Sequence, residues 1–437
     1  MLPQNLKYSG KVEAAPAQSY RTNIQPQNGT SGYKKGNNII FNIPTSNNLV
    51  LAPTESYLKF KMTLTNVATA NAYRWDSCGA HGLIQRIKVF HGSNLLSDID
   101  SYGLLTKMLF TLQNPEDANK GKYNIMAGTR NDISTTAGTT INSGDGAAMA
   151  ISAVVSNYYC LNLVSLIGTL CPSQYLPLFA MTSAPLRVEI TLVSDSILAM
   201  NDFLGSATFQ LDEVEYIAQF IKLSDVAMEM IYGSLGGQPL QIAVPDWSNF
   251  QSTGNLTTST TQQNFPIPAK YSSLKSIIAT VRQNSSGLKA CFPYSSTTQK
   301  VSSYYFRVGS QILPSKAPDS TVEMFAEALK AMGSMSDTLF TPSLSLASYT
   351  LATDTAAAAV ADVATTNSGN FFIGIDLENY VNSPKNTIFA GYNSNTDDIY
   401  LVLNHKAAAG AVSVRYDAFA LFDSVLVFEN NTCYRKF

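Results

Sequence analysis

Residues 88–97 read Lys88-Val-Phe-His-Gly-Ser-Asn-Leu-Leu-Ser97, and residues 305–314 read Tyr305-Phe-Arg-Val-Gly-Ser-Gln-Ile-Leu-Pro314. Each is a strand-forming run broken by a Gly-Ser pair. Each also leads into a helical pattern, Ser101 to Leu112 in one case and Thr321 to Met332 in the other. Gly92 therefore answers Gly309. A second pair of markers closes each half: Leu211-Asp-Glu-Val-Glu-Tyr-Ile-Ala-Gln-Phe-Ile221 matches Tyr416-Asp-Ala-Phe-Ala-Leu-Phe-Asp-Ser-Val-Leu426, a strand pattern after an acidic entry. Two markers in the same order in each half point to a duplicated unit. Each copy is too long for a solenoid repeat and right for a complete domain.

Composition fits a chain with two cores. Of its 437 residues, 45% are hydrophobic and 14% charged, so it is charge-poor, and the net charge is −2. Such a balance supplies no global field for nucleic acid, which a basic domain binds by releasing counterions from phosphates. No sequence-specific nucleic-acid binding is expected. A large, nearly neutral surface is better tolerated where copies of the chain cover it.

The five cysteines, Cys78, Cys160, Cys171, Cys291 and Cys433, form no CxxC pair. An odd, irregular set reads as reduced core residues. Met1-Leu-Pro-Gln-Asn-Leu-Lys-Tyr8 has no apolar leader core, and no stretch approaches the roughly 18 apolar residues of a membrane span. The expectation is a chain made inside a cell, with no signal peptide or transmembrane segment. The Asn-X-Ser/Thr matches at Asn28, Asn255, Asn284 and Asn430 then read as chance.

Residues 1–36 are polar and carry Lys7, Lys11, Arg21, Lys34 and Lys35 against Glu13, the pattern of a flexible N-terminal arm. From Asn38 onward, short segments alternate apolar and polar residues: Asn38 to Ile43, Tyr57 to Thr65, Ile84 to Phe90, Tyr158 to Val164 and Leu186 to Leu192. Period two puts one face of each in a core. The second half repeats this at Asn264 to Ile267, Leu274 to Val281, Tyr304 to Val308, Phe371 to Ile375, Ile399 to Leu403 and Phe419 to Phe428. Besides the helices after the repeated glycines, Ser224 to Tyr232 is helical, with Ser224 or Asp225 as N-cap.

Residues 113–154 and 335–368 are long irregular stretches at equivalent points, expected on one side of the molecule. The division predicted is an arm over 1–36, a first sandwich over 37–224, a Gly- and Pro-containing linker over 225–256 and a second sandwich over 257–437.

Many short strands with close turn signals in a duplicated unit predict an all-β chain of two tandem antiparallel jelly-roll sandwiches with a few short helices. Three segments carry a family resemblance. Ile84 to Leu109 resembles the early strands and helix of the first roll in double jelly-roll major capsid proteins, the adenovirus hexon and PRD1-like lineage of icosahedral viruses. Cys171-Pro-Ser-Gln-Tyr-Leu-Pro-Leu-Phe-Ala-Met-Thr-Ser-Ala-Pro-Leu-Arg-Val-Glu-Ile-Thr-Leu192 resembles the segment in which a Leu-Pro-Leu turn precedes a strand, and Asp417 to Phe428 is similar to the closing strand of the second roll.

The resemblance covers most of residues 37–437. It implies a structural virion protein that self-assembles as pseudo-hexameric homotrimers tiling an icosahedral shell. Implied partners are the chain itself, neighbouring trimers, minor capsid or vertex proteins, and an internal membrane or the genome through the arm. Localisation in the virion follows. Duplication suits the role, because a trimer of two-domain subunits offers six similar edges to a hexagonal lattice while needing only cyclic symmetry.

The candidate catalytic residues lack the partners that such chemistry needs. His81, His91 and His405 show no metal-ligand spacing, and Cys78-Gly-Ala-His81 lacks a second Cys/His pair for a tetrahedral site. Asn393-Ser-Asn-Thr-Asp-Asp398 has oxygen ligands at alternating positions but lacks the central Gly and distal Glu of a calcium loop. Asp98 with Asp100 and Asp212 with Glu213 read as solvated turn or helix-entry acids rather than a glycosidase pair. There is no nucleophile elbow, phosphate loop or dinucleotide fingerprint. The expectation is no catalytic residue, no cofactor, no metal and no enzyme activity. The alternative is a tandem β-sandwich that binds carbohydrate or a receptor, with Tyr73, Trp75 and Trp247 exposed as stacking surfaces.

Overall fold

The computed structural model describes residues 17–65, 75–129, 154–170, 175–194, 208–257, 262–283, 294–298, 300–335, 342–344, 346–350, 369–379, 390–406 and 412–437. The first half contains β1 (Ala17–Ile24), β2 (Asn38–Ile43), β3 (Leu49–Leu51), β4 (Tyr57–Thr65), β5 (Ile84–His91), β6 (Asn94–Asp100), α1 (Tyr102–Leu112), α2 (Glu116–Lys120), α3 (Lys122–Ala127), β7 (Val154–Leu161), β8 (Leu186–Leu192) and β9 (Thr208–Leu223). After α4 (Asp225–Leu235) come β10 (Leu240–Leu256), β11 (Gln262–Ile267), β12 (Leu274–Gln283), β13 (Val301–Val308), β14 (Gln311–Leu313), α5 (Thr321–Ala331), α6 (Leu346–Tyr349), β15 (Phe372–Asp376), β16 (Ile399–His405), β17 (Val412–Glu429) and β18 (Thr432–Lys436).

The two halves repeat strand for strand. One sheet of the first half has the order β1-β9-β4-β7, with β3 added on β9, and the other has β2-β8-β5-β6. The second half gives β10-β17-β12-β15, with β18 added on β17, and β11-β16-β13-β14. All these strand pairs are antiparallel. Each half is thus a two-sheet jelly roll with a helix after its hairpin. Even the cross-sheet ring pairs correspond: Phe41 meets Tyr216 at 6.1 Å, and Phe265 meets Tyr416 at 6.1 Å.

Alternation explains the strands. Along β4, Leu58, Phe60, Met62 and Leu64 are buried while Tyr57, Lys59, Lys61 and Thr63 are not, and β8 alternates in the same way. Gly92 and Gly309 sit at φ 58° and 57°. His91 pairs with Asn94 and Val308 with Gln311, so each Gly-Ser is a two-residue hairpin loop. Such loops place their first residue where an L side chain is strained.

Two sequence expectations are corrected. Ala17–Ile24 is not arm but strand, paired along its whole length with β9. Tyr33 is buried, its hydroxyl donating to Asn28 Oδ1 at 2.8 Å, and Gly32 N–H donates to Asp212 Oδ1 at 2.8 Å. A polar edge strand is held by backbone hydrogen bonds rather than apolar burial, so its composition mimics a mobile tail. Residues 1–16 of the expected arm lie outside the described residues.

Residues 225–256 are not a linker either. They form α4, capped by Ser224 Oγ accepting from Ala227 N–H at 3.2 Å, and then the 17-residue β10 paired throughout with β17. Pro245 is tolerated because β10 is an edge strand.

The stretch expected to be irregular from residue 113 contains α2 and α3, while residues 130–153 and 351–368 lie outside the described residues. The described ends of the two stretches do meet: Pro115 bridges Pro342, and Ser343 N–H donates to Thr111 O at 3.1 Å. The strand expected at Tyr158–Val164 runs instead from Val154 to Leu161.

Candidate functional site at the seam between the rolls

The residues with catalytic potential are dispersed and already engaged. His81 is buried, with Nδ1 facing the Tyr102 hydroxyl at 3.1 Å, and that hydroxyl accepts Val164 N–H at 2.9 Å. Burial pushes the His81 pKa down to about 3. His405 lies against the Tyr416 hydroxyl at 3.4 Å, inside the second roll. Arg86 grips Asp98 with two bonds of 2.6 Å, and Asp100 accepts Ser101 N–H at 2.7 Å and Gln85 Nε2 at 3.0 Å. Glu213 accepts the Tyr158 hydroxyl at 3.0 Å from a left-handed bulge position, φ 52°, where β9 slips against β4.

The Asn393–Asp398 turn is equally committed. Asp398 pairs with Lys270 at 2.9 Å, which lowers its pKa, and Asp397 accepts the Tyr392 hydroxyl. Asn393 Oδ1 accepts Asn395 N–H at 3.2 Å. These contacts buttress the Gly309 hairpin, since Gly309 N–H donates to Asp398 O at 3.0 Å. Among the described residues, no group of three His, Cys, Asp or Glu side chains could hold a metal ion.

A cavity of about 560 Å³ between α1, α3 and the β4–β7 edge is lined by His81, Phe110, Tyr123 and Cys160. Its imidazole is held neutral by burial.

Trp75 and Trp247 are not the exposed stacking surfaces expected of a lectin. Trp75 is 0% and Trp247 4% exposed, and Trp75 Nε1–H donates to the Tyr159 hydroxyl at 3.0 Å. Tyr73 lies outside the described residues. Cys78 and Cys433 are buried free thiols, and Cys160 is a half-buried one. Cys171 and Cys291 lie outside the described residues. Asn28 binds Asn38 O at 2.6 Å within the fold, Asn255 and Asn430 are exposed, and Asn284 lies outside the described residues.

What the structure does bring together is a seam joining the rolls. Ile242, Val244, Trp247, Ile278, Phe372, Phe419, Leu426 and Phe428 of the second half share one core with the first roll. Along it, His91 Nδ1 accepts Cys433 N–H at 3.1 Å while its Nε2 faces Met181 O at 3.0 Å, which assigns the proton to Nε2. Asn94 Nδ2 donates to Cys433 O at 3.0 Å. Arg435 Nη1 reaches both Leu96 O at 2.7 Å and Asp246 at 2.6 Å.

The deepest tie is ionic. Lys107, on α1, is fully buried, and its ammonium donates to Asp76 at 3.1 Å, to Tyr294 O at 2.9 Å and to Gly369 O at 3.0 Å. One turn earlier, a Cβ on Gly103 would lie 2.7 Å from the Tyr294 ring, so glycine is what lets that ring approach. Ser101 precedes the helix at φ 49°, and its hydroxyl accepts Gln251 Nε2 at 2.7 Å.

None of this was flagged from sequence except the position of His91. Lys107 inside an otherwise apolar helix was the legible signal, since a buried cation needs a partner.

No family model matches the sequence, and no curated protein matches it. The structure does find counterparts over nearly its whole length. PBCV-1 VP54, as fitted into a reconstruction of the Sputnik virophage, aligns at a TM-score of 0.64 and 12% identity, covering 99% of this chain and 100% of that one. The Faustovirus major capsid protein aligns at 0.58 and 9%, covering 97% and 92%. The mavirus major capsid protein aligns at 0.56 and 13%, covering 100% and 93%. Among the described residues, no helix is long and apolar enough to cross a membrane. With matching strand order in both halves and alignment through both, the chain has the double jelly-roll fold found in these viral capsid proteins.

Proposed function

We propose that the protein is a major capsid protein whose trimers tile an icosahedral virion shell. The carrying observation is the strand-for-strand duplication fused at an apolar, hydrogen-bonded seam, in a fold aligned end to end with capsid proteins. A fused pair of like domains is what a pseudo-hexagonal tile of three chains requires. The two building units are the rolls β1–β9 and β10–β18. Neighbouring trimers and minor capsid or vertex proteins are the partners of this role, and the N-terminal residues with Lys7 and Lys11 are the part that would meet a membrane or the genome.

Light scattering on the purified chain should report three subunits, and concentrated samples imaged by negative stain should show hexagonal tiles. A protein that stays monomeric at every concentration and binds glycans tightly would refute the capsid role.

A further inference from the structure

The cavity between α1, α3 and the β4–β7 edge has the size and the lining of a small-molecule site. Its volume of about 560 Å³ falls in the range of roughly 300–1,000 Å³ in which an apolar wall carries a few placed polar groups. Leu109 and Phe110 of α1, Tyr123 and Met126 of α3, and Val164 supply the apolar wall. The Phe110 and Tyr123 rings lie 4.8 Å apart at 32°, and the His81 ring stands perpendicular to Phe110 at 5.3 Å and 88°.

Two polar groups of this wall lack a partner. His81 is 2% exposed. The Tyr102 hydroxyl accepts Val164 N–H at 2.9 Å and gives its own proton to His81 Nδ1 at 3.1 Å, which leaves the imidazole proton on Nε2. That Nε2–H has no hydrogen-bond acceptor among the described residues. Asn162 Nδ2 donates to Thr54 O at 2.7 Å, while its Oδ1 is buried without a partner among the described residues. Both side chains line the cavity. Buried donors and acceptors are normally satisfied. One donor and one acceptor on the same wall are the complement of a group that both accepts and donates, such as a hydroxyl or a primary amide.

The lining also sets the charge of what fits. Glu55 and Lys122 are its charged members, opposite in sign and both exposed, so they offer no net field to a buried ion. Cys160 stays a thiol, since burial pushes its pKa up. An ion placed here would be desolvated without a partner, which is costly.

We propose that this cavity binds an uncharged amphiphile, an aromatic or alicyclic body bearing one hydroxyl or primary amide. The polar group meets His81 Nε2–H and Asn162 Oδ1, and the apolar body packs on Phe110 and Tyr123. A bound molecule joins α1 and α3 to the β4–β7 edge, and so braces the helix whose Lys107 enters the seam. The site is independent of the trimeric capsid reading and adds a small-molecule partner to it.

The probes are naphthol, which is uncharged at neutral pH, naphthalene, which lacks the hydroxyl, and naphthoate, which is charged. Fluorescence titration of the full chain should show naphthol binding about tenfold tighter than naphthalene, the worth of one net hydrogen bond, with naphthoate weakest. Naphthol should raise the melting temperature with concentration. It should also slow alkylation of Cys160 by iodoacetamide, followed on the Cys160 peptide by mass spectrometry, because that thiol lines the cavity. With nitrogen-15 histidine, the His81 Nε2–H resonance should move on adding naphthol and hold still with naphthalene. Asn162→Leu should lower naphthol affinity about tenfold and leave naphthalene binding unchanged. Should that variant not fold, the His81 resonance and Cys160 protection of the wild type decide the matter. Equal affinities for naphthol and naphthalene with an unmoved His81 signal would overturn the proposal, and so would a Cys160 that naphthol never protects. Either failure leaves the capsid reading intact, and a monomeric wild type that binds naphthol as described would remove the capsid reading alone.

Discussion

Cys433 N–H donates to His91 Nδ1 at 3.1 Å, tying β18 of the second roll to the end of β5 in the first, 342 residues away in sequence. The repeat has Val308 where the first half has His91, and Val308 belongs to the core of its own roll. The imidazole therefore belongs to the seam. Replacing it by leucine leaves two buried backbone groups, Cys433 N–H and Met181 O, without partners. His91→Leu should cost about 2 kcal/mol or more, at roughly 1–3 kcal/mol per orphaned group, as read from urea midpoints.

Lys107 and Asp76 form an ion pair with both side chains at 0% exposure. Asp76→Asn strips the charge partner and should destabilise by about 3–5 kcal/mol. The double variant Asp76→Asn, Lys107→Met removes the buried charge altogether and should recover much of that loss. A double-mutant cycle by chemical denaturation decides it, and additive losses would show that the two are uncoupled.

Gly103 is a spacing residue. Gly103→Ala would set a methyl 2.7 Å from the Tyr294 ring and 3.0 Å from Gly82 Cα. Helix propensity alone would favour alanine by about 1 kcal/mol. The clash should dominate, with a net loss of about 1–3 kcal/mol in thermal unfolding.

The depressed pKa of His81 makes stability fall in acid. Its folded value is about 3, against an ordinary 6.5. Above pH 6.5 the ring is neutral in both states and contributes no pH dependence. As the pH drops below that, the unfolded chain takes up a proton that the folded chain refuses, so stability decreases until the pH nears 3. By pH 5 this should amount to about 2 kcal/mol from this one group. His81→Gln should flatten that limb of the stability–pH curve, and an unchanged slope would assign it to other groups.

Truncation tests what β1 contributes. Removing residues 1–16 should leave the melting temperature within about 2 °C of the full chain, because the pairing of β1 with β9 from Ala17 onward is kept. Removing residues 1–36 deletes β1 and Tyr33 and bares the edge of β9. That chain should melt earlier and aggregate, because an open strand edge templates pairing.

Most of the strand inventory was readable in the chain. Asn38–Ile43, Tyr57–Thr65 and Leu186–Leu192 appear with the boundaries their alternation predicts, because period-two burial is a local property. The glycines at 92 and 309 were readable because a two-residue loop demands positive φ at a single residue. β1 and β10 were not. Both are edge strands, held by backbone pairing to β9 and β17, and backbone pairing leaves little trace in side-chain pattern.

The sequence by itself therefore determined that the chain is two copies of one β sandwich, because duplication, alternation and turn chemistry are written in neighbouring residues. Only the tertiary structure decided which face of each copy is covered. It sets His91 against Cys433 and Lys107 against Tyr294 and Gly369, through contacts between residues far apart in the chain. Such contacts depend on how the rolls pack on one another, and no local pattern in the chain encodes that.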